Sequence, residues 1–518
     1  METSKISNIK TLPVVRKKGL GSKVFCLIFL FIGLVAYFAA RWYLRTYGDT
    51  GFDSVLFTLL SDMKGVQAGL ILQFLAGGLL PAVICFFVIG FVLFGKHKRV
   101  LFVPVKNRRI RMLPVKKKMA RIISVIMSVI LLISAGASVR LFDYLYSLTH
   151  QSTIFTEKYV DPDTVKLQFP EKKKNLIYIF MESMETTYQS KEEGGALNHN
   201  ATPELTKLAK QYVNFSHNEG VGGFVTPTGM TWTVAAMTAH TSGIPLKAPG
   251  IFERNAYGTD NFLPGVKNIT NILKENGYYQ TLMVGSDKSF ANRDVYYESH
   301  GVDKVYDLNT ARKDGIVPEN YYVWWGMEDE YLFKYAKREL VKIAAQEQPF
   351  AFSLLTVDTH HVAGYKCDLC GDKYKEQYEN VISCASKQVN MFLTWLKRQS
   401  FYKNTTVVIV GDHLTMDSEY ISRNVDPEYE QHVYNCFINS SVTGENYKNR
   451  QFCAVDLFPT TLAALGVEIP GNRLGLGTNL FSNKKTLIEE MGYEEFNNQI
   501  SMNSSYYVTN FLNEPSTE

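Results

Sequence analysis

Between Met63 and Phe142 the chain has no aspartate or glutamate, although Lys+Arg and Asp+Glu nearly balance over its 518 residues, at 55 against 50. The basic residues of that stretch bunch at Lys96–Arg99, Lys106–Arg111 and Lys116–Arg121. Such a run could be a nucleic-acid patch or a disordered tail, but its place between hydrophobic spans makes it a cytoplasmic loop. No nucleic-acid partner is expected. Internal repeats and low-complexity tracts are also missing, and no clear cleavage site follows the first apolar stretch, which argues against a removed signal peptide.

What is present divides the chain in two. Uncharged apolar runs are expected to cross a membrane at about 24–44, 66–95 and 121–139, each long enough for roughly 30 Å of hydrocarbon. Lys and Arg mark the cytoplasmic side, so a tail of residues 1–22 and the basic loop stay inside. Three crossings, within a transmembrane region of 23–140, then place everything beyond Arg140 outside the cytoplasmic membrane. The expected order continues with a linker at 141–170, a folded domain at 171–500 and a tail at 501–518.

Cysteine is scarce and odd in number: seven in all, with Cys26 and Cys85 inside spans. The outer five are Cys367, Cys370, Cys384, Cys436 and Cys453. Cys367-x-x-Cys370 admits zinc or a redox pair, but no second pair and no nearby helical His accompany it. Disulfides are therefore expected outside the membrane, Cys384 with Cys370 or Cys367 and Cys436 with Cys453, with one thiol left over.

In the outer domain, apolar runs at Leu176–Met181, Tyr279–Val284, Phe350–Val357 and Thr406–Val410 read as buried strands. Amphipathic stretches at Val266–Glu275, Glu328–Gln346 and Ile382–Arg398 read as helices between them. The segment TPELTKLAKQYVNF reads as a helix capped by Thr202, then a strand. Alternating strand and helix predicts an α/β domain, a doubly wound and mainly parallel sheet covered by helices. Ligands of such sheets bind beyond the C-terminal strand ends. There the chain places Glu182, Ser286-Asp287, Asp358-Thr359-His360-His361 and Gly411-Asp412-His413, an oxygen and nitrogen set suited to one divalent ion.

These residues carry a resemblance. The motifs IYIFMES, TWTVAAMTAHTSGIPL, FANRDVYYESHG, TVDTHH, FYKNTTVVIVGDH and NRLGLGTNLFS occur in this order from about Asn175 to Ser482. In that arrangement the domain resembles phosphoglycerol transferases of the lipoteichoic acid synthase and periplasmic-glucan type, within the alkaline phosphatase/sulfatase superfamily. The resemblance implies a metal held by Glu182, Thr233, Asp412 and His413, most simply Mn2+, with Mg2+ or Zn2+ as alternatives. It makes Thr233 the nucleophile by ungapped matching, and a one-residue gap would choose Thr231. Arg293 matches an arginine that grips substrate phosphate, and Ala291 stands where one branch has an aromatic residue. His360 matches a histidine that contacts the phosphate and protonates the leaving group, with His361 as a substitute. No C/S-x-P-x-R pattern is present, which disfavours sulfatase activity.

The resemblance thus implies a membrane phosphatidylglycerol donor, a glycan or teichoic-acid-like acceptor and a covalent phospho-threonine intermediate. A phosphoethanolamine transferase or phosphodiesterase of the same superfamily is the alternative enzyme. A membrane sensor or scaffold keeping the fold is the non-enzyme alternative.

Overall fold

The computed structural model of the chain describes residues 20–48, 51–52, 54–56, 68–95, 101–105, 108–112, 116–247, 261–444 and 446–513. Residues 1–19 of the expected cytoplasmic tail, 1–22, and much of the basic loop lie outside these. The chain forms two compact units, Met1–Trp42 with Gly69–Ser138 and Tyr43–Ala68 with Val139–Glu518.

The first unit is mainly helical, with one antiparallel pair of strands, Leu101–Val105 and Arg108–Met112. Three helices are long and apolar enough to cross a membrane, Gly21–Tyr47, Ile71–Phe94 and Lys117–Ser138. Small residues let backbones approach where lipid supplies no hydrophobic drive. A side chain on Gly33 would meet Ser128 O at 3.1 Å. The Ser124 hydroxyl donates to Cys26 O across the same pair of helices, at 3.1 Å.

The second unit is built on a seven-stranded sheet, numbered here in chain order: β1 Asn175–Met181, β2 Gly223–Phe224, β3 Tyr279–Val284, β4 Lys304–Tyr306, β5 Phe350–Leu355, β6 Thr405–Gly411 and β7 Val433–Ile438. Their spatial order is β2-β7-β6-β1-β5-β3-β4. The five from β6 to β4 run parallel, while β7 and β2 add antiparallel pairs at one edge. Strand periodicity sorts β1 onto two cores: Leu176, Tyr178 and Phe180 face one, Ile177, Ile179 and Met181 the other. Both faces are covered, so the strands read as continuous apolar runs.

Several expectations change. Residues 141–170, expected as a linker, contain the helices Leu141–Thr149 and Ile154–Glu157, and Ile154 and Phe155 join the core. Residues beyond 500, expected as a tail, include the helix Ser505–Asn510, with Tyr507 and Phe511 packed edge-on against Phe155. Aromatic burial outweighs the polar composition of both segments. Thr202 sits at the helix start before Pro203–Gln211, but its side chain makes no capping bond. Instead of a strand after that helix, Val213 makes a single bridge to Phe437.

All seven cysteines are free thiols. Cys436 and Cys453 cannot pair, because Cys436 points into one core and Cys453 into the core on the opposite face of the sheet. Cys384 does approach Cys367, at 3.8 Å between sulfurs, with Cys370 at 3.5 Å and no bond joining them.

Candidate active site

Adjacent parallel strands β1 and β6 end in register, Met181 beside Gly411. The next residues of each, Glu182 and Asp412, are therefore neighbours. A side chain at 411 would stand 2.0 Å from Met184 O, so only glycine lets the turn after β1 fold back against the end of β6. Asp412 Oδ1 accepts from the Ser183 and His413 amides, both at 2.8 Å. Its Oδ2 accepts no hydrogen bond among the described residues and lies 3.3 Å from His413 Nε2. His413 Nε2 lies 3.5 Å from Glu182 Oε1. His413 Nδ1 donates to Leu414 O at 2.7 Å, which turns the Nε2 lone pair into the cluster.

Thr233 opens the helix Thr233–Ser242, which ends in the left-handed Gly243 (φ 69°). Its hydroxyl donates to Glu182 Oε2 at 3.3 Å and lies 3.3 Å from His413 Nε2. Thr226, Thr228 and Thr231 instead line a cavity of about 830 Å³ in the second unit, together with Tyr144, Tyr493 and Asn497. Leu414, next to His413, lines the same cavity, so it opens beside the cluster.

Burial alone would raise the Glu182 carboxyl. The His360 and His413 charges and the hydroxyls of Ser183 and Thr233 outweigh it and hold it below the usual range. Asp412 is pushed up to about 7, by burial first and then by the Glu182 charge. Two buried carboxylates that oppose each other's ionisation, with one oxygen left unpartnered, fit a divalent cation. Glu182, Asp412 and His413 each offer a ligand atom, all within 4.8 Å of one another.

Arg293 is 5% exposed, and its Nη2 donates to Ser286 Oγ (2.6 Å) and Asp287 O (2.9 Å), while Nε donates to Phe290 O (3.1 Å). Ser286 and Asp287, placed by sequence at a strand end, thus hold the arginine and are not part of the Glu182–Asp412–His413 group. Burial draws Arg293 down to about 10, which leaves it charged at neutral pH. His360 Nδ1 donates to His361 O at 2.9 Å, and burial lowers its pKa against the raising effect of Glu182. His361 is buried, stacks on His360, and leaves its Nδ1 without a hydrogen-bond partner among the described residues.

Trp325 and Glu185 escaped sequence reasoning, and Asp358, placed by sequence at a strand end, serves neighbouring loops instead. Trp325 lies 4.3 Å from the His360 ring and 5.5 Å from Phe290, between centroids, and Phe290 in turn faces Arg293. An aromatic wall therefore links Arg293 to His360. Glu185 accepts from Thr187 (2.5 Å), Thr415 N (2.5 Å) and Gln431 (2.8 Å), clamping the loop after His413, and burial pushes it up to about 7. Asp358 accepts from Asp329 N at 3.1 Å and Asp329 from Val357 N at 2.7 Å, so this pair ties two loops together and leaves the metal cluster to others.

Known proteins are similar to this chain. The chain is 30% identical over 325 residues to phosphoglycerol transferase I of Xanthomonas campestris, covering 60% of this chain and 43% of that protein. It is 32% identical over 271 residues to phosphoglycerol transferase I of Escherichia coli, covering 51% and 33%. The match thus spans less than half the length of these relatives. Among solved structures, the lipoteichoic acid synthase LtaP of Listeria monocytogenes aligns over 61% of this chain and 79% of its own, at 22% identity and a TM-score of 0.47. The family profile described as Sulfatase matches residues 174–467, a segment that begins just before β1 and takes in Glu182, Thr233, Arg293, His360, Asp412 and His413, and the chain belongs to that family.

Proposed function

We propose that the second unit is a metal-dependent phosphoglycerol transferase, moving phosphoglycerol from a phosphatidylglycerol-like lipid to a hydroxyl of a glycan or teichoic-acid-like polymer. The observation that carries this reading is Thr233, whose hydroxyl stands at a helix start 3.3 Å from both Glu182 Oε2 and His413 Nε2.

Glu182, Asp412, His413 and Thr233 would hold one divalent ion, most simply Mn2+, which supplies charge neutralisation and a lowered hydroxyl pKa. Thr233 already donates to Glu182 Oε2, and its proton leaves in that direction. Its oxygen attacks phosphorus, the bond to the diacylglycerol oxygen breaks, and His360 protonates that oxygen. The acceptor hydroxyl then attacks the phospho-threonine and gives its proton to His360, the bond from phosphorus to the Thr233 oxygen breaks, and that oxygen takes back the proton it lost towards Glu182. Arg293 grips the phosphate: its loop contacts occupy Nε and Nη2, and Nη1 carries no hydrogen bond among the described residues. The amides opening the Thr233–Ser242 helix favour the charge that develops there.

A lipid donor suits the surroundings. The helix Leu141–Thr149 keeps Phe142, Leu145, Tyr146 and Leu148 exposed, an apolar face fit for the headgroup region. The distribution of Lys and Arg places the domain on the outer side of the cytoplasmic membrane, where a surface glycan would meet it.

The test is mass spectrometry of the full-length chain in detergent after incubation with phosphatidylglycerol and Mn2+. A glycerophosphate adduct on the Thr233 peptide, with diacylglycerol released, is expected. An ethanolamine phosphate adduct would instead indicate the phosphoethanolamine branch, and free glycerol phosphate without acceptor a phosphodiesterase. Undiminished diacylglycerol release by Thr233→Ala would overturn the assignment.

A further inference from the structure

Cys367, Cys370 and Cys384 form the second cluster of metal-ligating side chains among the described residues, separate from Glu182, Asp412 and His413. Cys367 and Cys370 lie in the loop that follows His360 and His361, where Cys370 N donates to Cys367 O at 3.0 Å and closes a tight chelating turn. Cys384 comes from the second turn of the helix Gln377–Leu396. Sulfur–sulfur distances are 3.5 Å for Cys367–Cys370 and 3.8 Å for Cys367–Cys384, and all three sulfurs lie within 4.8 Å of one another.

That spacing has a chemical meaning. Four thiolate-type ligands around zinc, each about 2.3 Å from the metal, stand about 3.8 Å apart along a tetrahedron's edges. A disulfide would use two sulfurs and leave the third without a role. One turn beyond Cys384, the Gln388 amide donates to both Cys384 (3.5 Å) and Cys367 (3.7 Å), the kind of support thiolate ligands receive from neighbouring donors. Cys367 and Cys384 are buried and Cys370 is half-buried, so the three thiols would supply three ligands and water the fourth.

We propose that Cys367, Cys370 and Cys384 bind a zinc ion that pins the loop behind His360 to the helix Gln377–Leu396. The site is structural and stands apart from the transfer chemistry. Its chelating turn follows His360 by only a few residues, so metal binding there restrains the loop that positions that histidine.

Zinc content of the full-length chain purified in detergent tests this, alongside Glu182→Ala and Cys384→Ser. The expected result is one zinc per chain that survives in Glu182→Ala, is lost in Cys384→Ser, and is released by an organomercurial. Alkylation of the denatured wild-type chain without reductant should then modify all three cysteines. A disulfide found among them, or zinc lost in Glu182→Ala but kept in Cys384→Ser, would overturn the proposal. Should Cys384→Ser fail to fold, cobalt exchange into wild type and Glu182→Ala decides instead. Sulfur-to-cobalt charge-transfer absorption in both proteins upholds the site, and its absence sinks it. Neither outcome depends on transfer activity.

Discussion

The Thr233 hydroxyl lies 3.3 Å from Glu182 Oε2, joining the first turn of a buried helix to the end of the central strand β1. The contact brings the proposed nucleophile to the proposed metal ligands, and the first prediction rests on it.

Thr233→Ala should lose diacylglycerol release on the order of 10³-fold or more, as expected when a nucleophile is removed. Thr231→Ala, altered in the neighbouring cavity, should retain the covalent adduct. Release of labelled diacylglycerol, together with melting temperature to establish folding, checks both. Equal loss in the two variants with folding intact would remove the distinction.

Arg293→Lys keeps the charge but cannot span Ser286 Oγ, the Asp287 and Phe290 carbonyls and a phosphate at once. A fall in kcat/KM of roughly 10- to 100-fold is expected, the worth of one or two charge-assisted hydrogen bonds. Steady-state kinetics with phosphatidylglycerol measures it.

Removing divalent metal should lower the melting temperature, because Glu182 and Asp412 oppose each other's charge with Asp412 pushed up to about 7. Asp412→Asn keeps an acceptor for the Ser183 and His413 amides while deleting that repulsion. Its metal-free form should melt about 2 °C or more above the wild-type metal-free form and gain nothing from added Mn2+. Thermal melts with chelator and with Mn2+ compare the two proteins. A full Mn2+ response in the variant would argue against Asp412 as a ligand.

His217 and His432 stack face to face with centroids 3.4 Å apart. Both are drawn down to about 4 from 6.5, by burial first, and for His217 also by the His432 charge. Between pH 6.5 and 4 the unfolded chain binds more protons, so stability falls as pH drops through that window and levels below it. Allowing for solvent at the ring edges, each imidazole contributes on the order of 1 kcal/mol. His217→Phe should flatten the difference curve across this window, as read by denaturant unfolding at several pH values.

Much of the architecture was written in local pattern. Uncharged runs located the three long helices, and apolar runs located β1, β3, β5 and β6 to within a few residues, because each is an amphipathic or fully apolar segment that can be read by itself. β7 was missed because Asn435 and Cys436 interrupt the pattern; Asn435 is buried by bonding the Phe215 backbone from both ends of its amide. Trp325 belongs to no motif, and its place beside His360 comes from a loop held by the Met327 amide on Gly285 O at 2.8 Å. Cys436 and Cys453 were paired on compartment alone, and the sheet between them forbids it.

The sequence alone therefore settled the class of the domain, the helices fit to cross a membrane and which polar residues follow the strand ends. Those depend on hydrophobic period, on charge and on motif order, all of which are local. The tertiary structure decided which of four threonines stands beside Glu182 and His413, that Ser286 and Asp287 serve Arg293, and that three cysteines meet. These depend on how distant strand ends and loops converge, and the pairing of β1 with β6 that sets Glu182 beside Asp412 exists only in the folded chain.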